Sequence, residues 1–318
     1  RHLVFTASAT EGNNLAVESG ISRGADRLIT STVEHASILE HAHALESRGV
    51  DVVWLSTSRD GIIEHDELEA ALEGARRSLL AVQWVNNEVG AIQPVEQLVE
   101  LAHHYGASVH IDATQAIGKM PVSLEKIDPD TVALNAHKIN GPPGVGALYV
   151  RNRKRLNPAG FGGTQEGGIK PGTENIAGIA GFGEAARQRL ANFASVNDHM
   201  RKLRDAFEQR VLAGCEWVHV NGPLDQRIGN TSNLRFPGID GQALMAQLDG
   251  LGVYCSQTSA CTNQRPEPSH VLRAMGLSEM EAFESVRFST GITNTEADVM
   301  YAADVVIEVA NKLRRLFA

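Results

Sequence analysis

The chain has 318 residues, 42% of them hydrophobic, and a formal net charge of −9 at pH 7. This length predicts one large or two medium domains, and the composition supplies enough apolar side chains for a substantial core. The acidic balance argues against nucleic acid as a partner. Three cysteines without a CxxC spacing argue against a disulfide framework and against a structural zinc site, and we expect no metal.

The apolar runs and the first residues bear on location. No run approaches the roughly 18 apolar residues of a membrane span, and no secretory signal pattern opens the chain. We therefore expect a cytoplasmic protein without a membrane partner. Arg1 leads directly into the apolar Leu3–Phe5 with no initiator Met, and we expect that an N-terminal segment is missing.

The first half of the chain alternates short apolar runs with helical patterns. Predicted strands cover Leu3–Phe5, Arg27–Thr30, Val52–Leu55, Leu79–Val85, Ser108–Ile111, Val132–Leu134 and Val145–Val150. Predicted helices run from Leu15, from the turn after Glu34 to about Ser47, over Asp66–Arg76, and from Pro94 to His104. This βαβ alternation predicts an α/β fold with a mainly parallel, doubly wound sheet.

The second half predicts a smaller domain. A long helix is expected to open at Gly172–Asn175 and to reach about Phe193. Further helices are predicted at Asp198–Leu212, Asp240–Leu248 and Thr295–Leu316, and strands at Val218–Val220, Asn230–Phe236, Gly252–Cys255 and Ser285–Gly291. We expect a large domain over residues 1–190 and a small α/β domain over 191–318.

Lys138 is the first candidate for chemistry. It follows the strand Val132–Leu134 and precedes a Gly/Pro turn, so that it sits at a strand end. An amine in a partly dry site can react with a carbonyl cofactor or substrate as a Schiff-base lysine. A solvated loop lysine explains this segment alone equally well.

Polar residues follow the neighbouring predicted strands. Asp112 and Gln115 come after Ser108–Ile111, and Asn87 follows Leu79–Val85. Open α/β sheets bind ligands at the carboxyl ends of their strands. A carboxylate such as Asp112 can hold a pyridinium nitrogen protonated, as in pyridoxal 5′-phosphate (PLP) sites.

Two strand-to-helix junctions offer further candidates. Small hydroxyl residues precede the first helix, and Thr10 is the candidate contact for a phosphate there. His35 lies at the next junction, where an imidazole could stack on a flat cofactor. Each junction has an ordinary alternative, because Ser8 or Thr10 could simply cap a helix, and His35 could be a capping or core residue.

Taken together, these segments resemble the PLP-dependent cysteine desulfurases of the class V aminotransferase group. The resemblance covers nearly the whole chain in the family's order. It rests on Thr6–Asn14, Glu34–His35, Asn86–Gly90, His110–Gln115 and Ala136–Lys138 with its Gly–Pro turn. The fold implied is the type I PLP-transferase fold.

The resemblance implies roles for individual residues. Lys138 would bond covalently to PLP, Asp112 would pair with the ring nitrogen, and His35 would stack on the ring. The remaining implied cofactor contacts are Asn87 and Gln115 near the phenolic oxygen, and Ala9, Thr10, Asn135 and His137 around the phosphate.

A thiol loop and an arginine strand complete the implied site. Cys261, in the polar segment Ser259–Leu272, resembles the sulfur-accepting cysteine of the desulfurase subgroup with a long catalytic loop, and a thiolate attacks sulfur well. Cys215 and Cys255 are expected to be buried and structural. Arg287 would bind the α-carboxylate of L-cysteine, with Asn87 nearby.

The resemblance also implies a homodimer with shared active sites. In similar enzymes the threonine matching Thr173 reaches the phosphate of the neighbouring subunit. The alternative is that Thr173 caps the helix that follows. A sulfur-acceptor protein would be the second partner, in a route such as iron–sulfur cluster assembly.

Three positions depart from the family pattern. Asn135 replaces a serine or threonine two residues before the His–Lys pair, and one phosphate hydrogen bond must therefore change. Gly167 and Lys170 stand where the family tends to have arginines. These two changes put the partner surface in question and leave the core cofactor residues in place.

The expected function is conversion of L-cysteine to L-alanine with sulfur passed to an enzyme persulfide. Alternatives are another class V PLP enzyme, namely a selenocysteine lyase, a transaminase or a β-eliminating lyase, and an inactive truncated homologue that serves as a partner-binding scaffold. The loop carrying Cys261 argues against the transaminase, whereas Gly167 and Lys170 motivate the scaffold.

Overall fold

A computed structural model describes residues 2–257 and 267–317. The chain forms two compact units. Unit 1 comprises Arg1–Thr57, Ile62–Val85 and Gln93–Phe193, and unit 2 comprises Ser58–Gly61, Asn86–Ile92 and Ala194–Ala318. No helix among the described residues is both long enough and apolar enough to cross a membrane.

Unit 1 is built on a seven-stranded sheet in the order β1-β7-β6-β5-β4-β2-β3. Its strands are β1 (Leu3–Thr6), β2 (Arg27–Ser31), β3 (Asp51–Leu55), β4 (Ser78–Gln83), β5 (Ser108–Asp112), β6 (Thr131–Asn135) and β7 (Gly146–Val150). The strands β3, β2, β4, β5 and β6 are mutually parallel, whereas β7 is antiparallel to both β6 and β1. The prediction of a mainly parallel α/β sheet is confirmed.

The interior strands are buried on both faces. All six residues of β4 are buried, which fits its continuous apolar sequence and the helices on either side of a parallel sheet. The helices of unit 1 are α1 (Ala9–Ser22), α2 (Ala36–Ser47), α3 (His65–Leu72), α4 (Val95–His104), α5 (Leu124–Ile127) and α6 (Ile176–Ala191). On α1, Leu15 and Val17 pack into two separate apolar clusters against the sheet.

Unit 2 has a three-stranded antiparallel sheet and five helices among its described residues. The elements are α7 (Phe193–Gly214), β8 (His219–Val220), β9 (Thr231–Arg235), α8 (Gly241–Asp249), α9 (His270–Ala274), α10 (Glu279–Phe283), β10 (Ser285–Ser289) and α11 (Glu296–Phe317). Leu203, Phe207 and Val211 of α7 recur at helical spacing and are buried in one core. Phe207 contacts Phe288 of β10 with ring centroids 4.8 Å apart.

Several predicted boundaries are wrong for local reasons. Helix α1 begins six residues before Leu15, because Ser8 accepts a hydrogen bond from the backbone N–H of Glu11 and starts the helix there. The predicted strand Gly252–Cys255 does not form, and only Ser256 pairs with Arg287 in a single bridge. Cys255 therefore lies outside any strand.

The helices around residues 172–214 also differ from the prediction. Asn175, whose side chain accepts from the N–H of Gly178, caps α6, so that Thr173 lies before the helix and is not its cap. Helix α6 ends at Ala191, and α7 starts at Phe193 rather than at Asp198. Helix α3 stops at Leu72, four residues short of the predicted end.

Candidate active site

The carboxyl ends of β4, β5 and β6 meet at one edge of the unit 1 sheet. Asp112 ends β5, and it is paired in register with Gln83 of β4 and Ala133 of β6. Its backbone oxygen accepts from the N–H of Trp84 at 2.9 Å. A parallel sheet thus delivers the end of each strand to one place, as predicted.

The Asp112 carboxylate is buried and is held by uncharged donors. Its Oδ2 accepts from Nδ2 of Asn13 at 2.7 Å, and its Oδ1 accepts from the backbone N–H of Thr114 at 2.9 Å. Only 6% of the residue is exposed. A carboxylate fixed by neutral groups keeps its negative charge for a further, cationic partner.

Lys138 lies in a 3₁₀ turn, Ala136–Ile139, that directly continues β6. The turn closes when the N–H of Gly141 donates to the oxygen of Ala136, and Asn140 adopts a left-handed conformation with φ 65°. Lys138 is half-buried, and its reaction with a carbonyl group stays a prediction. Burial, together with the adjacent Lys138 charge, lowers the pKa of His137.

The amino end of α1 lies beside this turn. At Gly146 of β7, a Cβ atom would stand only 2.7 Å from the carbonyl carbon of Ser8 and 2.8 Å from the oxygen of Leu134. Glycine therefore permits the start of α1 to approach the end of β6 closely. Ala9 and Thr10 form the first turn of α1, where unpaired backbone N–H groups and the helix dipole favour an anion.

His35 caps α2, as its ordinary alternative supposed. Its Nδ1 accepts from the backbone N–H of Ser37 at 3.1 Å and lies 2.9 Å from Oγ of Ser37. The preceding Glu34 is fully buried, with Oε2 accepting from the N–H of Gln83 at 2.7 Å and Oε1 2.5 Å from Oγ of Ser31. Burial, reinforced by the charge of Asp112, raises the pKa of Glu34 to about 8.

The side-chain amides of Asn135 and Gln115 lie at this edge and differ in their hydrogen bonds. Asn135 is buried at the end of β6, and its Oδ1 has no hydrogen-bond partner among the described residues. Rotating that amide by a half-turn would present a donor at the same place. Gln115 Oε1 accepts from Nζ of Lys119, which leaves the amide nitrogen of Gln115 as the group for any phenolic oxygen.

Thr173 and Lys170 line a small cavity near the start of α1. The cavity has a volume of about 140 Å³ and also includes Ala7 and Val145. Lys170 Nζ lies 3.4 Å from Oε2 of Glu11, so that the residue replacing a family arginine is paired within unit 1. Thr173 is exposed, and its contact with a neighbouring subunit stays a prediction.

Asn87 and Arg287 contact each other in unit 2. Nη1 of Arg287 donates to the backbone oxygen of Asn87 at 2.8 Å, and burial lowers the pKa of the guanidinium while Glu88 opposes that shift. Nε of Arg287 has no partner among the described residues. The arginine is thus enclosed rather than facing open polar space, and it keeps a donor for a carboxylate.

The cysteines separate into two groups. Cys261 lies outside the described residues, and its role stays a prediction. Cys215 is buried in the unit 2 core, Cys255 packs against that core, and burial raises the pKa of the Cys255 thiol to about 12. Both thiols suit the structural role expected of them. Within residues 2–257 and 267–317, no three His, Cys, Asp or Glu side chains group as metal ligands.

Sequence reasoning assigned no role to three residues that contact the candidate site. Asn13, Ser37 and His110 form a buried hydrogen-bonded cluster with Asp112. His110 lies two residues before Asp112 on the same strand, and this spacing on one face of β5 is a signal that could have found it. Asn13 escaped notice because α1 was expected to begin after it.

Comparison with known proteins agrees with this geometry. The class V aminotransferase family model matches residues 1–301. A cysteine desulfurase of Nostoc sp. is 39% identical over 316 residues, covering 99% of this chain and 79% of the relative. The cysteine desulfurase IscS of Dictyoglomus turgidum is 36% identical over 317 residues, covering 99% of this chain and 80% of the relative.

The solved structures give the same result. A structure titled as a NifS-like protein matches with a TM-score of 0.91 at 32% identity, covering 98% of this chain and 83% of that one. The predicted fold and the resemblance to the cysteine desulfurases of the class V group are both confirmed. The chain belongs to the class V aminotransferase family, in the group of its cysteine desulfurases.

Proposed function

We propose that this chain is a PLP-dependent cysteine desulfurase that converts L-cysteine to L-alanine and passes the sulfur through a cysteine persulfide to an acceptor protein. One observation carries the proposal. Asp112, a buried carboxylate held by neutral donors, ends the strand adjacent to the one that continues into Lys138. This supplies an anion for a ring nitrogen and an amine for an aldehyde on neighbouring strands.

The residues present fit PLP. The first turn of α1, with the exposed Thr10 hydroxyl, suits the phosphate. The amide of Asn135, whose Oδ1 has no hydrogen-bond partner in the described part of the chain, supplies a further polar group at the same sheet edge. His137, Gln115 and Thr173 would complete the polar surroundings. When bound, PLP withdraws electrons from the α-carbon of the amino acid attached to it, and this is the chemistry that no side chain supplies.

Three residues of this chain act on L-cysteine before its sulfur is transferred. Arg287 binds the α-carboxylate through its guanidinium fork, with Asn87 beside it. Lys138 takes the α-proton on Nζ and returns a proton to the carbon skeleton. His35 would lie against the ring of bound PLP and orient it.

Cys261 takes the sulfur. Its thiolate attacks the sulfur of L-cysteine, an S–S bond forms, and the Cβ–S bond breaks with its electron pair staying on carbon. Protonation of that carbon gives L-alanine, and Cys261 holds the persulfide. Transfer of the outer sulfur to a thiol of the acceptor regenerates Cys261.

The assembly and location are part of the same proposal. A homodimer would let Thr173 of each subunit reach the partner's phosphate site. Cytoplasmic location, the acceptor protein and a role in iron–sulfur cluster assembly rest on the family. Light scattering of the purified protein tests the dimer, since a monomer that turns over L-cysteine would remove the shared site.

The function is tested by alanine and sulfide release from L-cysteine in the presence of a thiol reductant. We expect equimolar products from the wild type and loss of both from C261A, with the cofactor absorption band retained. C255A is the matched control, because it also removes one thiol, and we expect its rate within twofold of the wild type. A PLP-loaded wild type that yields no alanine would contradict the proposal.

A further inference from the structure

A single buried amide lies between the two side chains that are proposed to contact the PLP ring. Asn13 of α1 is completely buried, and its Nδ2 lies 2.7 Å from Oδ2 of Asp112 and 2.8 Å from Oγ of Ser37. Its Oδ1 lies 3.0 Å from Nε2 of His110. Both N–H donors of this amide and one of the two acceptor positions on its oxygen are therefore directed at three neighbours.

The chemistry of these neighbours fixes the orientation of the amide. An ionised carboxylate accepts hydrogen bonds and donates none, so that the Asn13 atom facing Asp112 must be the nitrogen. That nitrogen has two protons, one for Asp112 and one for Ser37. The oxygen must then face His110, and His110 must donate to it.

The proton positions on both histidines follow. His110 carries its proton on Nε2, and its Nδ1 accepts from Oγ1 of Thr131 at 2.9 Å. Burial lowers the pKa of His110 to about 4, so that a neutral ring agrees with this arrangement. Ser37 accepts from Asn13 and donates its own hydroxyl proton to Nδ1 of His35. The single ring proton of neutral His35 is then on Nε2.

We propose that Asn13 is a positioning residue that orients Asp112 directly and His35 through Ser37. This inference rests on the proposed function, because it assigns Asp112 to the nitrogen of the cofactor ring and His35 to a face of the same ring. Asn13 also does this without adding charge. A lysine or arginine in its place would neutralise the carboxylate that the ring nitrogen needs, whereas an amide holds the carboxylate and leaves its charge unchanged.

The first test compares cofactor affinity between variants of apoprotein titrated with PLP and followed by visible absorption. We expect N13L, which keeps the number and branching of side-chain heavy atoms and removes every side-chain hydrogen bond, to raise the Kd for PLP about tenfold, the equivalent of about 1.4 kcal/mol. S37A breaks only the path to His35, and we expect an increase of about threefold. N14A is the matched control on the same helix, because its side chain bonds only to the backbone oxygen of Thr10 among the described residues, and its Kd should stay within twofold.

The double variant N13L/S37A separates a shared path from two independent contacts. If Ser37 acts through Asn13, the double variant should bind PLP no more than about twofold more weakly than N13L alone. Fully multiplied effects, or an unchanged Kd and kcat/KM in N13L, would overturn the inference. A wild type that takes up no PLP would instead overturn the proposed function, and the inference with it.

A second measurement needs no substitution and covers the case that N13L fails to fold. The ¹⁵N shifts of histidine-labelled wild type report which ring nitrogen carries the proton. We expect His110 to be protonated on Nε2 alone between about pH 6 and 8, with H110Q supplying the assignment. A proton on Nδ1 in its place would contradict the arrangement of Asn13 and overturn the proposal.

Discussion

Two aspartates of unit 1 are equally buried and have opposite surroundings. Asp112 ends β5 at the carboxyl edge of the sheet, and its described donors are the Asn13 amide and one backbone N–H. Asp130 precedes β6 at the amino edge, where its carboxylate contacts Arg155 at 2.9 Å and His103 at 3.4 Å. Asp130 lines a cavity of about 540 Å³ whose wall holds four arginines.

The donors around a buried carboxylate distinguish a structural role from a functional one. Asp130 has already paired its charge within the protein, and it also accepts from the N–H of Val109, joining two strands. Asp112 also accepts hydrogen bonds, but its carboxylate forms no ion pair with a cationic side chain among the described residues. Burial alone therefore does not mark the site, and the charge of the hydrogen-bond donors does.

Neutralising each carboxylate in turn should affect catalysis at one edge of the sheet only. We expect D112N to lose about 100- to 1000-fold in kcat for alanine formation, the scale of one lost electrostatic group in a site. D130N should keep kcat within about twofold, because it lies at the opposite edge. Circular dichroism confirms folding of both, and equal activities of the two variants would refute the distinction.

The paired carboxylate of Asp130 should matter for stability rather than for catalysis. D130N leaves Arg155 and His103 without a carboxylate, and we expect a loss of about 2 kcal/mol in the free energy of unfolding by urea. D128N is the control, since Asp128 is exposed and its pair with Arg151 should contribute at most about 0.5 kcal/mol. Equal losses in the two variants would show that burial of Asp130 does not matter.

Glu34, a third buried carboxyl group of unit 1, should make stability depend on pH. Its pKa is raised from 4.5 to about 8 in the folded chain, so that the folded state holds a proton that the unfolded state releases between those values. Its contribution to stability is therefore present below about pH 4.5 and is lost as pH rises to about 8. E34Q has no such proton, and we expect its stability relative to wild type to rise by roughly 3 to 4 kcal/mol from pH 5 to pH 8.

Glu18 provides the control for that measurement. Its hydrogen bonds to Arg48 are the main reason that its pKa falls to about 2, and its titration ends below the same window. E18Q should therefore show a constant difference from wild type between pH 5 and pH 8. If E34Q also gives a flat difference, the buried carboxyl does not hold the extra proton.

Removing His103, the more distant of the two side chains that contact Asp130, should have only a small effect on stability. His103 is partly exposed, and its Nε2 lies 3.4 Å from the carboxylate, so that H103A should cost only about 0.5 kcal/mol. Thermal unfolding at pH 6 measures this loss against H104A, whose exposed ring does not reach Asp130. A loss above that of D130N would place the main support of the carboxylate on His103.

The sheet was predictable because its signals are local. The strands around Leu79, Val109 and Val132 are continuous apolar runs, and each was predicted within two residues of its observed ends. The order of Asp112, Gln115 and Lys138 at successive strand ends then followed from parallel pairing. The predicted strand at Val253 did not form, because the backbone N–H groups of Gly252 and Val253 donate to the oxygens of Asp249 and Leu248 at the end of α8.

The hydrogen-bonded cluster behind Asp112 was not predictable in the same way. Asn13 lies 97 residues from His110 and 99 from Asp112 along the chain, and no local pattern reports such a contact. Placing the start of α1 at Leu15 also removed Asn13 from the helix face that meets the sheet. The cap at Ser8, which fixes that start, was considered only as an alternative to a phosphate contact.

The position of β1 has a consequence for how the chain reaches this fold during synthesis. Leu3 pairs with Tyr149, and β1 occupies the outer position beside β7, the last strand of the sheet to be translated. At roughly 5 to 20 residues per second, a ribosome needs on the order of 10 to 30 s to make the partner strand after the first has emerged. Throughout that interval the apolar Leu3–Phe5 segment lacks the strand with which it pairs in the folded chain.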